Sequence, residues 1–480
     1  MNTITQIYKN IIKNRLKEKI NSLTNNMINT IIDSIGKDNS SDYVSIVSSV
    51  QDAEREMIKQ TLITTFEELD NNYKYSKERF KFYVVNKSNI PRTITTLFGD
   101  ITFLRTYYKS RLDDSLHFLL DEMLELPKYD RYDPIVKAYA VDIYTKTNQK
   151  LSGEITGNQI SSINNLINKN KLNAIPRQSI HNWINNWNEP NDVYSQRKTP
   201  NNLYIMIDEK FLGCQDKEND IMVKSYVVFE NIKPIYKNRN ALVNRLVFNT
   251  SSDTPWIDFT DFLYKIYDAT KIKNIYILSD GGKWITSNID ELRMENNMTI
   301  KHLLCEFHFK QSINRITTVD EERKTIFNLF QTLTKKEFFK TLNAFKEKYS
   351  HKAETIEKQI TYISNYYKSI KDMLKSNIGS SMESHISHIV ASPFSSRPKG
   401  FSSLKINKYL KINDYVNNGI NIFKLYLDSF NNPLIINTNT PHNVNITTKD
   451  TTHLDSVSLP IIESGHMTQT FQNFKTITSI

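Results

Sequence analysis

A short apolar run, Ile275-Tyr276-Ile277-Leu278, leads into Ser279-Asp280-Gly281-Gly282. Such a run suits a strand covered on both faces, which in turn requires a layered α/β body around it. The glycine pair breaks the strand and lets a backbone or a ligand come close. An Asp-Gly at a strand end is by itself commonly a turn. Asp280 acquires chemistry only if other carboxylates reach the same place.

The chain before it changes period several times. Residues 3–36 and 42–70 carry apolar residues at helical spacing, the first set closed by Gly36, and predict a hairpin of two long helices. Phe80, Phe82 and Val84 alternate as in a strand. The runs Thr93 to Phe98 and Ile101 to Tyr108 then face each other across Gly99-Asp100, which predicts a small antiparallel sheet. Its outer strand is basic and aromatic (Arg105, Tyr107, Tyr108, Lys109, Arg111), fit for a phosphate backbone or for solvent. Pro134 opens a further helix, and a second apolar run covers Ile160 to Ile167. Pro176 starts another helix with Ile180, Trp183, Ile184 and Trp187 as its buried stripe. Arg177, Gln178, His181 and Asn182 then face outward near its N-terminus, as in the recognition helix of a helix-turn-helix. An ordinary solvated face accounts for the same residues.

Beyond a linker at 190–202 the pattern turns to strands. Leu203 to Ile207 ends on Asp208-Glu209; Met222 to Phe229 and Leu242 to Phe248 follow. Trp256 to Tyr267 reads as a helix, and the Ile275 strand comes next. Ile285 to Leu292 reads as a helix and Lys301 to Phe307 as a strand. The order βββαβαβ is that of an RNase H-like core. Residues 319–376 are helical throughout and read as an insertion, after which Glu383 arrives on a short helix.

In this order the strand ending at Asp208 and the strand ending at Asp280 should lie side by side and parallel. Their carboxylates would sit close enough to share a divalent ion, which prefers hard oxygen ligands. Glu383 would complete a two-ion site. Glu209 competes for the first position, but strand alternation puts it on the opposite face from Asp208.

Several blocks resemble the ISLre family of bacterial insertion-sequence transposases, a DDE family related to the Mutator-like group. They are Thr96 to Asp100 with Tyr107-Tyr108, Leu120 to Pro127, Asp208-Glu209, Ser279 to Ile285, and Glu383 to His388 followed by Ser395 to Gly400. The resemblance covers roughly residues 80–405. Two departures are mild: Ser279 stands where a glycine is usual, and Gly282 where alanine is usual. The resemblance implies that Asp208, Asp280 and Glu383 are catalytic and hold two Mg²⁺ ions, with Mn²⁺ an alternative. Cys305-Glu306-Phe307-His308 resembles the C-x-x-H signature of Mutator-like transposases, and Glu306 lacks the match that surrounds Glu383. Gly281, Gly282, Cys305, His308 and His385 would support the site. His388 would pack beside it or lie on a helix surface. Arg397 and Lys399, with Arg177, Gln178 and His181, would contact double-stranded DNA.

The whole reads as an N-terminal helical hairpin (1–75), a small antiparallel β region (76–127) and a helix-turn-helix DNA-binding region (128–195). An RNase H-like DDE catalytic domain (196–430) with helical insertion 319–376 follows, then a weakly ordered tail (431–480). The implied function is DNA transposition: binding terminal inverted repeats, metal-dependent cleavage, and strand transfer by a homo-oligomer on DNA. A domesticated, non-enzymatic DNA-binding protein and an RNase H-like nuclease without joining activity are the rivals. A net charge of +10 suits a phosphate-bearing partner, although lysine-rich codon usage raises the charge of any such chain. Two cysteines, Cys214 and Cys305, cannot frame a disulfide scaffold. No stretch approaches the roughly 18 apolar residues of a membrane helix. A cytoplasmic, nucleoid-associated protein without membrane partners is expected.

Overall fold

The computed structural model describes residues 2–36, 43–161, 174–190, 193–194, 198–214, 216, 220–236, 239–292, 298–376, 378, 381–395, 401–403 and 405–431. The chain forms two units that part at Pro190, with the residues from Asn421 to 431 returning to the first.

In the first unit the helices Asn2–Gly36 and Tyr43–Lys74 pack on each other. The second of them lies on the strands Tyr83–Thr96 (β1), Gly99–Ser110 (β2) and Leu116–His117 (β3). Ile94, Ile101, Phe103 and Leu120 are buried beneath its Leu62, Ile63, Phe66 and Leu69. Its buried Asp70 accepts a hydrogen bond from Thr106 Oγ1 at 2.6 Å. Arg55 donates to the carbonyls of Leu97 and Ile160, each at 3.0 Å.

Three details differ from the sequence reading. Phe80 and Phe82 belong to a short helix, Lys77–Phe82, capped by Ser76, and both rings are exposed. The hairpin turns at Leu97-Phe98, because Thr96 pairs with Gly99 and Asp100 is already inside the ladder, accepting from Thr95 Oγ1 at 2.6 Å. Gly99 takes φ +112°, which a side chain would resist. Arg105 does not face outward: it and Arg92 both donate to the buried Asp121 carboxylate. Burial and the Arg92 charge hold the Arg105 guanidinium down at about 10.

The rest of this unit is helical: Pro134–Lys146, Gln149–Ile160, Arg177–Asn185 and Ile422–Asn431. Gly153 lets the chain before Arg177 come within bonding distance, Ile175 N donating to Gly153 O at 3.1 Å. A Cβ there would stand 2.1 Å from Ile175 O. Ile180, Ile184 and Trp187 are buried; Trp183 is half-buried, edge-on to Tyr132. Trp187 donates to Ser429 Oγ at 3.1 Å and packs on Tyr426. The last helix therefore belongs with this unit, although it falls inside the 196–430 segment read from the sequence. The apolar run Ile160 to Ile167 lies outside the described residues after 161, as does all but the first residue of the 431–480 tail.

The second unit is built on a five-stranded sheet of Asn202–Leu212 (β4), Ile221–Phe229 (β5), Leu246–Thr250 (β8), Asn274–Ser279 (β9) and Thr299–Leu304 (β10). Its order is β10-β9-β4-β5-β8. β4, β5 and β8 run antiparallel, whereas β9 and β10 run parallel to β4. The crossover to β9 is the helix Pro255–Ile266, whose Trp256, Phe259, Leu263 and Ile266 cover Leu203, Ile205, Ile207, Tyr226, Ile275 and Ile277.

Leu242 lies in a separate ribbon, Asn231–Tyr236 (β6) with Arg239–Val243 (β7), not in the core strand. Asn244 at φ +52° ends that ribbon, and β8 starts afresh at Leu246. Cys305 to Phe307 is not strand, since β10 stops at Leu304 and Cys305 caps the helix Glu306–Ile316. The helices Asp320–Thr332, Lys335–Lys348, Ala353–Asn365 and Tyr367–Ser376 form the insertion. The helix Ile406–Asn417 is tied to β8 by the fully buried Asp414, which accepts from Asn249 N at 2.6 Å.

Asp133 caps the helix Pro134–Lys146, accepting from Val136 N at 2.6 Å, and burial pushes its carboxyl up to about 6. Between about pH 4 and 6 the folded chain therefore holds a proton that the unfolded chain has released. Stability falls as pH rises through that window, and the cost is present in full above pH 6. Asp133→Asn keeps a capping oxygen and removes the charge. Its stability relative to wild type should rise by on the order of 2–3 kcal/mol between pH 4 and pH 7 in urea unfolding. A pH-independent difference would contradict this.

Candidate active site

β4 and β9 run side by side only as far as the pair Met206 and Leu278. β4 then continues against β5 alone, and β9 ends at Ser279. A cavity of about 440 Å³ lies where they part, lined by Asp208, Asp280, Cys305, His308, Ser381, Glu383, Ser387 and His388 among others.

Strand alternation decides which side chains reach it. Leu203, Ile205 and Ile207 face the crossover helix, as do Ile275 and Ile277. Residues one step along, Met206, Asp208 and Asp280, take the opposite face. There Ser381 Oγ stands 3.8 Å from Met206 Sδ. That contact brings in the turn Met382–His385, which carries Glu383 and continues into a π-helical turn, Ile386–Ala391. Glu209 shares the face of Ile207 and accepts a hydrogen bond from Trp284 Nε1, so it is held away from the cavity. Glu306 pairs with Lys310 on its own helix at 2.7 Å.

The Asp280 turn is closely built. Asp280 Oδ1 accepts from Gly282 N at 2.8 Å, and Ser279 Oγ accepts from Gly281 N at 3.1 Å. Gly281 takes φ +84°, and a Cβ on it would stand 2.6 Å from Tyr366 Cζ. Asp208 Oδ1 accepts from Glu209 N at 2.8 Å. Asp208 and Asp280 are half-buried, and Glu383 is exposed at the rim.

Burial, then the charges of Asp280, Glu383 and Glu209, push the Asp208 carboxyl up to about 6, against the pull of the Glu209 amide. Among the described residues no Lys or Arg forms an ion pair with Asp208, Asp280 or Glu383. Burial lowers the His308 pKa, but Cys305, Asp280 and Glu383 together outweigh it and the net shift is upward. Burial, with the charges of Arg245 and His388, drops His385 to about 4, leaving a neutral ring.

Three carboxylates lining one cavity, with no Lys or Arg paired to them among the described residues, offer the oxygen donors that a hard divalent ion takes. Among the described residues, no group of three or more His, Cys, Asp or Glu side chains is drawn together to hold a metal ion. The acids share a cavity, and the charges of Asp280 and Glu383 act on Asp208.

Of the DNA-contact candidates, Arg177 and Gln178 are exposed on the helix Arg177–Asn185, and Gln178 donates to Asn182 at 2.9 Å. His181 is half-buried, its Nδ1 within 3.5 Å of Gln149 Nε2. Arg397 and Lys399 lie outside the described residues. Sequence reasoning missed Tyr362 and Tyr366, whose hydroxyls donate to the carbonyls of Asp280 and Gly281. Their one signal, tyrosines four residues apart in a helical pattern, looks the same in any buried face.

Fold and cavity together define a mixed α/β protein with a carboxylate-lined cavity where two parallel strands diverge. The chain belongs to the uncharacterised protein family UPF0236, whose family model matches residues 38–427. Similar chains come from Caldanaerobacter subterraneus subsp. tengcongensis. One UPF0236 protein, whose name joins eleven loci, is 25% identical over 393 residues, 79% of each chain. A second, whose name joins four loci, is 26% identical over 384 residues, 78% of each chain. Among the described residues no helix is long and apolar enough to cross a membrane.

Replacing Asp208 by Asn removes a half-buried charge facing like charges and keeps an oxygen for the Glu209 amide. With divalent ions chelated at pH 7.5, Asp208→Asn should raise the unfolding free energy by about 1–3 kcal/mol, seen as a higher Tm. A lower Tm would count against mutual repulsion at this site.

Proposed function

We propose that this chain is a DDE transposase of the ISLre type, with its second unit serving as an RNase H-like catalytic core. The observation that carries the reading is the placing of Asp208, Asp280 and Glu383. They come from β4, from the end of β9 and from the turn after the helical insertion, and they line one cavity with, among the described residues, no Lys or Arg in an ion pair with them. Three antiparallel strands, a crossover helix and two parallel strands support it, being the order expected of such a core. Relatives whose names join eleven and four loci in one organism suit a mobile element.

Asp208, Asp280 and Glu383 would hold two Mg²⁺ ions, or Mn²⁺. Bound there, such ions supply an activated attacking oxygen and stabilise the leaving 3′-oxygen. The chain's own residues prepare the place. Burial makes Asp208 costly to ionise without a cation, so the site favours positive charge. Gly281 gives up its side-chain space to the Tyr366 ring, and Gly282 adds no side chain of its own beside Asp280. Glu383 stands at the rim, reachable by a bulky polymer.

The partner is double-stranded DNA, at the element's terminal inverted repeats and at the target. Arg177, Gln178 and His181 would read or position it, and Arg397 and Lys399 would contact phosphates. Cys305 and His308 line the cavity beside the acids, whereas His385, on the same turn as Glu383, is not among its lining residues. Work on two DNA ends calls for a homo-oligomer, and the location follows the DNA, at the bacterial nucleoid.

Asp280→Asn should lower Mg²⁺-dependent nicking of element-end DNA by at least about a hundredfold, with DNA affinity within about twofold of wild type. Equal nicking by the variant would remove Asp280 from the chemistry. A wild-type protein that binds the ends but never nicks them would favour the non-enzymatic DNA-binding alternative.

A further inference from the structure

The helical insertion is joined to the Asp280 turn by a set of hydrogen bonds that packing alone does not require. Tyr362 OH donates to the Asp280 carbonyl at 2.6 Å, and Tyr366 OH donates to the Gly281 carbonyl at 2.5 Å. The Tyr366 ring occupies the space that a side chain on Gly281 would need. From the other side, Ser369 Oγ lies 2.8 Å from His302 O and 3.1 Å from His302 Nδ1, while His302 Nε2 lies 2.8 Å from Ser279 Oγ. Ser279 Oγ in turn accepts from Gly281 N at 3.1 Å.

Counting donors fixes the direction of this chain. A serine hydroxyl has one proton. Ser369 gives its proton to the His302 carbonyl, so it accepts from Nδ1–H. Nε2 is then the acceptor and takes the Ser279 proton, which leaves the Ser279 oxygen to accept the Gly281 amide. Every group is satisfied in one tautomer only. Both carbonyls and the amide of the Asp280-Gly281 turn are therefore held by groups that trace back to the insertion.

We propose that Tyr362 and Tyr366 are positioning residues for Asp280, and that the insertion acts through them to set the turn so that the carboxylate faces the cavity. This rests on the reading of Asp280 as a metal ligand. It gives the insertion a role in metal affinity rather than in packing alone.

The test uses the full chain carrying Tyr362→Phe, Tyr366→Phe, both together, or Ser369→Ala. Tyr349→Phe is the control, since that hydroxyl also donates within the insertion, to Glu322 at 2.8 Å, but away from the turn. Without metal, deuterium exchange of a peptide spanning residues 279–286 should speed up about tenfold or more in the double variant and stay unchanged in the control. The half-saturating Mg²⁺ concentration, followed by calorimetry, should rise about five- to tenfold in the double variant. Unchanged exchange overturns the clamp. Faster exchange with unshifted Mg²⁺ affinity overturns the positioning role. If the wild-type chain takes up no Mg²⁺, the metal reading fails by itself, and exchange alone then decides whether the clamp exists.

Discussion

Like charges do not gather in a half-buried cavity unless the backbone forces them together. Here the force is the divergence of β4 from β9 after Met206 and Leu278. Up to that point the two strands share a ladder, and the even-numbered side chains of both point to one face. Past it Asp208 and Asp280 are carried on by the same alternation into a space that neither strand fills. The sheet is stable enough to impose this because its other face is a dense aromatic and aliphatic layer. Tyr226 stacks on Phe259 at 4.0 Å, and Trp256 and Phe262 complete the cover. The core thus fixes the acids as a by-product of its own packing, and their repulsion remains as a local cost.

The third acid is delivered differently. Glu383 sits beyond a long helical insertion and returns to the sheet through Ser381 at Met206 and through the buried Met382. Its segment includes a π-helical turn, an irregularity often found at functional sites. The insertion is thus a detour with two ends on the same cavity. One end presents Glu383, and the body of the detour grips the turn that bears Asp280.

Much of the second unit was legible in the sequence because its signals were periodic. The covered run Ile275 to Leu278, the stripe Trp256 to Ile266 and the order of strands follow from spacing alone, and so does the opposite facing of Asp208 and Glu209. Misreadings arose where one residue's backbone overrode a continuing pattern. Asn244 in the left-handed region separates Leu242 from the core strand that starts at Leu246. Thr96, bonding to Phe98 N and Gly99 O, moves the hairpin turn two residues upstream of Gly99-Asp100. Arg105 looked like a solvent-facing cation because no pattern announces that Asp121, sixteen residues away, will take it up. The tyrosine and serine hydroxyls at the Asp280 turn were silent for the same reason. A hydrogen bond from a side chain to a distant carbonyl leaves no period behind.

The central claim is that three acids from separate elements act as one divalent-ion site. Mn²⁺ titration of the DNA-free chain, followed by the loss of the free-ion electron paramagnetic signal, tests it in wild type and in Glu383→Gln. The account predicts saturable uptake by wild type and affinity weakened at least about tenfold in the variant, although Glu383 is exposed. Equal uptake by the two proteins, or none by wild type, would contradict it.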